Sequence, residues 1–303
     1  MDTNEFLELM GVPLKHLTFL WRIKNSQYRE LKIPKRGGGF RTILDPSEQL
    51  REAQRPLLTN VLSRIELPDY LWAFELGRSI PTMARLHIGK RVIYSWDIKS
   101  YFDNITQKMV EESLPQEWDS KVRRLVSELS TYRFYLPQGA LTSPKISNII
   151  TSRTFGGPLQ TYFEGHGGTM TIYADDITVS FDEMKSAEFF LESDQIVREV
   201  LGNFSLRINE RKTKLMKYST RQYVCGVVVN EKTSIPREKK LLFRAIINNV
   251  SRNGFDHEAV KMGLTTTEFI SHMNGNLNWF KQLNPEVGGR YERSWKELVN
   301  GSQ

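Results

Sequence analysis

Thr169-Met170-Thr171-Ile172-Tyr173-Ala174-Asp175-Asp176-Ile177-Thr178-Val179-Ser180-Phe181 decides how this chain is read. Two runs rich in β-branched and aromatic residues flank an acidic centre. Such runs read as strands, and the break between them reads as a tight hairpin turn. Asp is common in turns because its carboxylate can bond nearby backbone, so turn chemistry alone explains Asp175-Asp176. Adjacent carboxylates also repel, and they stay ionised together most readily with a cation between them. A hairpin tip offering such a pair suits Mg²⁺, which takes one or two carboxylates and fills its other positions with water and phosphate. Taken alone, the pair leaves both readings open.

Working outward, a third carboxylate is available. In Arg91-Val92-Ile93-Tyr94-Ser95-Trp96-Asp97-Ile98 a strand-like run delivers Asp97 at or near its end. Asp103, a little further on, reads as the cap of a helix beginning near Ile105. Tyr101 and Phe102 read as packed, or as the wall of a sugar pocket. Upstream, Ile33-Pro34-Lys35-Arg36-Gly37-Gly38-Gly39-Phe40-Arg41 is a basic hairpin candidate. Its Lys35, Arg36 and Arg41 can clamp a triphosphate, or simply form an exposed basic turn. Between the acidic stretches, Leu136-Pro137-Gln138-Gly139 leads through Ser143-Pro144 into a helix. There Gly139 would let the backbone approach a nucleotide closely. Downstream, Leu206 to Leu215 is basic and strand-like, and Lys212 or Lys214 can meet a departing pyrophosphate or line a solvated edge.

The remaining segments are coarser. Residues 1–32 and 46–66 read as helical, with Pro46 at a first helical position. Ser79 and Pro81 start a helix that carries His87, read as a surface or packing residue. Residues 106–130 read as a solvated outer helix. Residues 183–202 read as a helix with Phe189, Phe190, Leu191, Ile196, Val197, Val200 and Leu201 inward. Gln222 to Asn230 reads as a strand pair. Beyond Pro236, helices bearing Arg237, Lys239, Lys240, Arg244, Arg252 and Lys261 read as a small subdomain that grips a nucleic-acid backbone.

The 303 residues are 39% hydrophobic and 25% charged, an ordinary globular composition, and carry a formal net charge of +7 that favours a polyanionic partner. No apolar run is long enough to span a bilayer, and the acidic N-terminus lacks a signal region. The single cysteine, Cys225, excludes an internal disulfide and a cysteine-based zinc site, so a cytoplasmic location is expected. Together, three carboxylates, a basic clamp and a glycine-bearing loop point to phosphoryl transfer, with two Mg²⁺ ions about 4 Å apart.

At this point the sequence resembles the reverse transcriptases, specifically those of bacterial retrons. Tyr173-Ala174-Asp175-Asp176 is similar to that family's Tyr-x-Asp-Asp box, and Pro137-Gln138-Gly139 with Ser143, Pro144 and Asn148 to its Pro-Gln-Gly box. Trp96-Asp97-Ile98-Lys99 with Tyr101-Phe102 is similar to its first aspartate box, and Ile33 to Arg41 to its fingers motif. Asn209 to Lys214 and Asn274 to Trp279 resemble later segments, all in the family's order. Three positions depart from the retron pattern. Met83-Ala84-Arg85-Leu86-His87 lacks the usual Asn, Cys225 stands where Val-Thr-Gly has Thr, and Ser100 replaces a common acid, which should alter helix capping more than catalysis.

The resemblance implies an α+β right-hand fold: an N-terminal region and fingers over 1–90, a palm over 91–235 and a helical thumb over 236–303. The palm would be an antiparallel sheet with helices on one face, and fingers helices would be inserted at about 106–136. It implies Asp97, Asp175 and Asp176 as metal ligands. Gln138 and Gly139 would touch the incoming dNTP, Phe102 would sit under its sugar as a gate against the 2′-OH, and Arg41 with Lys35 or Arg36 would hold its phosphates. Val224-Cys225-Gly226 would help recognise a cognate structured noncoding RNA (msr-msd), whose copying, primed from an internal guanosine 2′-OH, yields msDNA. A separate effector protein in antiphage defence is an expected partner. The alternatives are an RNA-binding scaffold of a defence complex and a bacterial reverse transcriptase outside retrons.

Overall fold

The structure, a computed structural model, describes residues 1–34 and 38–301. Asp2 caps α1 (Thr3–Met10), accepting from the backbone N–H groups of Asn4 and Glu5. α2 (Leu14–Ile23) follows. The helical reading of 1–32 fails at its end. After a turn at Lys24–Ser26 the chain enters β1 (Tyr28–Pro34), which pairs antiparallel with β2 (Phe40–Pro46) in a register from Tyr28↔Pro46 to Pro34↔Phe40. Both strands are largely exposed, so backbone pairing rather than burial defines them. Pro46 therefore closes a strand, and Ser47 caps α3 (Glu48–Pro56) by accepting from Leu50 N.

α4 (Ile80–Arg85) starts at Ser79 as expected but ends before His87. β3 (Val92–Asp97) leads to α5 (Tyr101–Asn104), α6 (Gln107–Ser113) and α7 (Ser120–Ser130). Ser100 sits at the head of α5 without a side-chain cap bond. Asp103 lies inside α5, and it is Thr106 that caps α6. α7 is no solvated outer helix. Val122, Val126 and Leu129 form a buried stripe, and Glu128 is buried in an ion pair with Lys24 (2.5 Å).

α8 (Ser143–Arg153) and α9 (Gly156–Gly165) precede β4 (Gly168–Tyr173) and β5 (Asp176–Phe181). In α10 (Ala187–Gly202) the inward face is Phe190, Ser193, Val197 and Leu201, whereas Leu191 is 73% exposed. β6 (Lys214–Lys217) and the hairpin β7 (Tyr223–Val224) with β8 (Val227–Val228) follow. The chain closes with α11 (Arg237–Asn253), α12 (Phe255–Lys261), α13 (Thr266–Leu283) and α14 (Pro285–Gly301).

Four strands form one sheet in the order β4-β5-β3-β6. β4 and β5 are neighbours joined by two residues, a connection that only an antiparallel pair permits. The chain divides into two compact units. The first comprises Met1–Arg78, Tyr94–Val179 and Lys185–Lys214. Its core includes Trp96, Tyr101, Phe155 and Phe163, each nearly fully buried and each worth roughly 1.5–3 kcal/mol of apolar burial. The second comprises Ser79–Ile93, Ser180–Met184 and Leu215–Gln303. Its helices pack around Phe243, Phe269, Phe280 and Trp295. Here Gly288 lets α14 approach α13: a Cβ at that position would fall 2.5 Å from the Lys281 backbone nitrogen.

Candidate active site

β4 and β5 present a turn of Ala174 and Asp175, with Asp176 opening β5. Ala174 has φ 55°, a left-handed conformation that costs an L-residue roughly 1–2 kcal/mol. Tertiary hydrogen bonds hold it. Ile98 N donates to Asp175 O (2.8 Å), tying the end of β3 to the hairpin tip. β3 ends on Asp97, only 4% exposed. The segment after α10 then wraps around Asp97: Asn209 N donates to Asp97 O (2.7 Å) and Lys99 N to Arg207 O (2.8 Å). The side chains repeat the pattern, Asn209 Nδ2 donating to Asp97 Oδ1 (3.1 Å) and Lys212 Nζ to Oδ2 (2.5 Å). The strand expected over 206–215 is thus mostly a loop, and β6 starts only at Lys214. A buried carboxylate that needs donors takes precedence there over strand pairing.

The three acids act on shared neighbours. Burial, and then the charge of Asp97, push the Asp175 carboxyl above its ordinary range, while its own backbone, Lys212 and Arg41 pull the other way. The Lys212 ammonium is held charged by its bond to Asp97 and by the charges of Asp97, Asp175 and Asp176. Arg41, on the exposed β2, is therefore felt at the acidic turn. Lys35 and Arg36 lie outside the described residues. Among the described residues no group of three or more His, Cys, Asp or Glu is drawn together closely enough to hold a metal ion as it stands. The donor chemistry still fits a hard divalent cation, since like-charged carboxylates call for a counter-charge and Lys212 now supplies it. An ion at Asp97 would compete with Lys212 Nζ for Oδ2.

The other candidate residues are placed as follows. Gln138 O accepts from Leu44 N (2.7 Å), so its loop packs on β2. Gly139 has φ 122°, and a Cβ there would lie 2.6 Å from Leu44 O. The close approach that this glycine permits is to a strand of the same chain. Phe102 is half-buried and edge-on to Tyr101, with ring centroids 5.7 Å apart. Val224 is 1% exposed, so the accessible part of its hairpin is the tip, Cys225 and Gly226, both left-handed. Arg237, Lys239 and Arg244 are exposed on α11, while Lys240 lies half-buried with Nζ 6.0 Å from the Phe280 ring.

Sequence reading missed the residues behind these acids. Asn209 is one. Asp194 is another, accepting from Trp96 Nε1 (2.9 Å) and from Arg198 Nε (2.6 Å), while Arg198 forks onto Glu210. This chain of bonds runs from the residue before Asp97 to the loop that carries Asn209 and Lys212. An acid and a base at helical spacing on α10 is the only signal the sequence offered for it.

Known proteins resemble this chain. The family model described as reverse transcriptase (RNA-dependent DNA polymerase) matches residues 33–229, a span that includes Arg41, Asp97, Gln138, Asp175, Asp176 and Lys212. The chain belongs to the reverse transcriptase family. This reverse transcriptase is similar to the retron Mx65 reverse transcriptase of Myxococcus xanthus, 30% identical over 297 residues that cover 91% of this chain and 66% of that one. It is 32% identical to the retron Mx162 reverse transcriptase of the same organism over 308 residues, covering 90% and 61%. It is 29% identical to the retron Ec86 reverse transcriptase of Escherichia coli over 253 residues, covering 82% and 78%. The chain spans about two thirds of the length of both Myxococcus relatives. Reverse transcriptases generally use divalent metal ions. Among the described residues no helix is long and apolar enough to cross a membrane.

Proposed function

We propose that this reverse transcriptase is a retron enzyme, an RNA-directed DNA polymerase that copies part of a structured noncoding RNA (msr-msd) into msDNA from an internal guanosine 2′-OH. We further assign it to the cytoplasm and to an antiphage defence system with a separate effector protein. What supports the polymerase reading most is that Lys212, bonded to Asp97, also feels the charges of Asp175 and Asp176, while Asp175 feels Arg41. The retron names of the relatives support the choice of RNA. With it goes a right-hand partition, with fingers over 1–90, palm over 91–235 and thumb over 236–303. β1–β2 serve as the fingers hairpin and α11 to α14 as the thumb.

In this reading Asp97, Asp175 and Asp176 would hold two Mg²⁺ ions, which would supply Lewis-acid chemistry at the attacking hydroxyl and counter-charge for the leaving pyrophosphate. The chain's own residues do the rest. Arg41, with Lys35 and Arg36, grips the triphosphate through charge-assisted hydrogen bonds. Gln138, fixed on β2 through its carbonyl, lines the nucleotide site, and Phe102 closes it beneath the sugar. Lys212, released from Asp97, is positioned to meet the phosphate charge that develops at the leaving group. Arg237, Lys239, Lys240 and Arg244, together with the Val224-Cys225-Gly226 hairpin, bind RNA. RNA affinity should therefore fall steeply with salt.

The test is to incubate the purified protein with the noncoding RNA encoded beside it, dNTPs and Mg²⁺. Labelled DNA joined to RNA is expected from wild type and none from Asp175→Asn. Equal DNA from both proteins would overturn the assignment.

A further inference from the structure

Between Tyr70 and Gly77 the chain of the first unit runs beside β4. Ile172 N donates to Tyr70 O (2.7 Å) and Trp72 N to Ile172 O (2.9 Å), so Leu71 pairs parallel with Ile172 at the sheet edge. Phe74 then adopts φ 63°, a left-handed conformation that a bulky aromatic residue rarely takes. Buried polar groups of α8 clamp it there. Asn148 Nδ2 donates to Ala73 O (2.7 Å) and to Glu75 Oε1 (3.0 Å), and Lys145 Nζ donates to Glu75 Oε2 (3.0 Å). Asn148 is 2% exposed and Lys145 9%. On the far side Arg78 donates to the carbonyls of Pro68, Asp69 and Leu71.

All this order fixes a segment that buries Leu71 and Ala73 yet leaves two apolar side chains in solvent: Phe74 is 51% exposed and Leu76 wholly so. The Phe74 ring lies 6.4 Å from that of Tyr173, tilted by 39°. Tyr173 immediately precedes the Ala174-Asp175 turn. Backbone strain that is held by buried polar groups, and that leaves an aromatic face in water, is costly until the face meets a ligand. Glu75 and Lys145 neutralise each other, so the segment offers a π-face rather than a charge. Beside a nucleotidyl-transfer centre the ligand that uses such a face regardless of sequence is a nucleobase.

We propose that Phe74, flanked by Tyr173, is a stacking platform for the last base pair of the RNA–DNA hybrid, and that Glu75, Lys145 and Asn148 are positioning residues that hold it. This inference rests on the polymerase reading above. Place 2-aminopurine at the primer terminus of an RNA–DNA hybrid and titrate it with wild type, Phe74→Leu, Phe74→Trp and Asp175→Asn proteins. Measure hybrid affinity and fluorescence quenching alongside melting temperature. Wild type, Phe74→Trp and Asp175→Asn should quench. Phe74→Leu should lose the quenching and bind the hybrid about tenfold more weakly at an unchanged melting temperature. Glu75→Gln combined with Lys145→Met should fall between them. Wild-type quenching and affinity in Phe74→Leu would overturn the platform while leaving the polymerase reading intact. Absence of DNA synthesis by the wild type on the same hybrid with dNTPs and Mg²⁺ would defeat the polymerase reading, whatever Phe74→Leu does.

Discussion

Asp97 and His87 are both buried polar side chains, and they resolve their burial in opposite ways. Asp97, at the end of β3, has a donor on each carboxylate oxygen, Asn209 on one and Lys212 on the other. His87, fully buried just past α4, has Nδ1 2.7 Å from Ser180 Oγ, and burial followed by the charge of Lys90 pushes it down to about 3. One side chain has a donor on each oxygen, and the other sheds its charge and packs against a hydroxyl. On the proposed reading the difference separates a group held ready for chemistry from a group that holds the fold together, although both fall within recognisable sequence boxes.

That contrast can be broken most decisively at Asp97. Asp97→Asn should cut single-nucleotide incorporation by at least about a thousandfold, the equivalent of roughly 4 kcal/mol of lost transition-state stabilisation. Rates within tenfold of wild type would reduce Asp97 to the structural status of His87.

His87 gives the next effect, and it acts on stability. Its folded value of about 3 lies below the ordinary 6.5. Above pH 6.5 it is neutral in both states and contributes no pH dependence. As pH falls below 6.5 the unfolded chain binds a proton that the folded chain refuses, so stability declines, by about 2 kcal/mol at pH 5. Urea denaturation at pH 7.5 and pH 5 should show that decline in wild type and a shallower one, by this amount, in His87→Gln. Identical slopes would mean that His87 is not held neutral.

Lys212→Met sharpens the other side of the comparison. Removing the internal counter-ion should leave Asp97 and Asp175 more hungry for cations, and Mn²⁺ affinity read by electron paramagnetic resonance should tighten about tenfold. Weaker Mn²⁺ binding would show that Lys212 supports the ion site instead of competing for it. The smallest effect belongs to Ala174→Gly. Relief of the left-handed strain, partly offset by the entropy of glycine, should stabilise the protein by under about 1 kcal/mol, seen as a small rise in melting temperature. A fall would locate the strain elsewhere.

Much of this was legible in the chain. The strands around Asp175-Asp176 and the strand ending at Asp97 appear where β-branched and aromatic runs placed them, because those runs are buried in the sheet and local pattern agrees with tertiary demand. The misreadings share a cause. β1 is exposed and charged, so no alternation of burial marked it, and only its pairing with β2 makes it a strand. α7 carries enough charge to look solvated, yet Val122, Val126 and Leu129 turn one face inward. Residues 206–213 have the composition of a strand but serve the buried carboxylate of Asp97. Asn148 and Asn209 stand in recognisable boxes but their roles, like that of Asp194, were hidden because they come from partners far along the sequence.

The most direct measurement is Mg²⁺ binding followed by isothermal titration calorimetry on wild type, Asp97→Asn and Asp175→Asn in the presence of an RNA–DNA hybrid and a non-hydrolysable dNTP. Sharing of ions between β3 and the β4–β5 turn predicts that each substitution alone abolishes most of the binding. Wild-type Mg²⁺ binding by Asp97→Asn would contradict it.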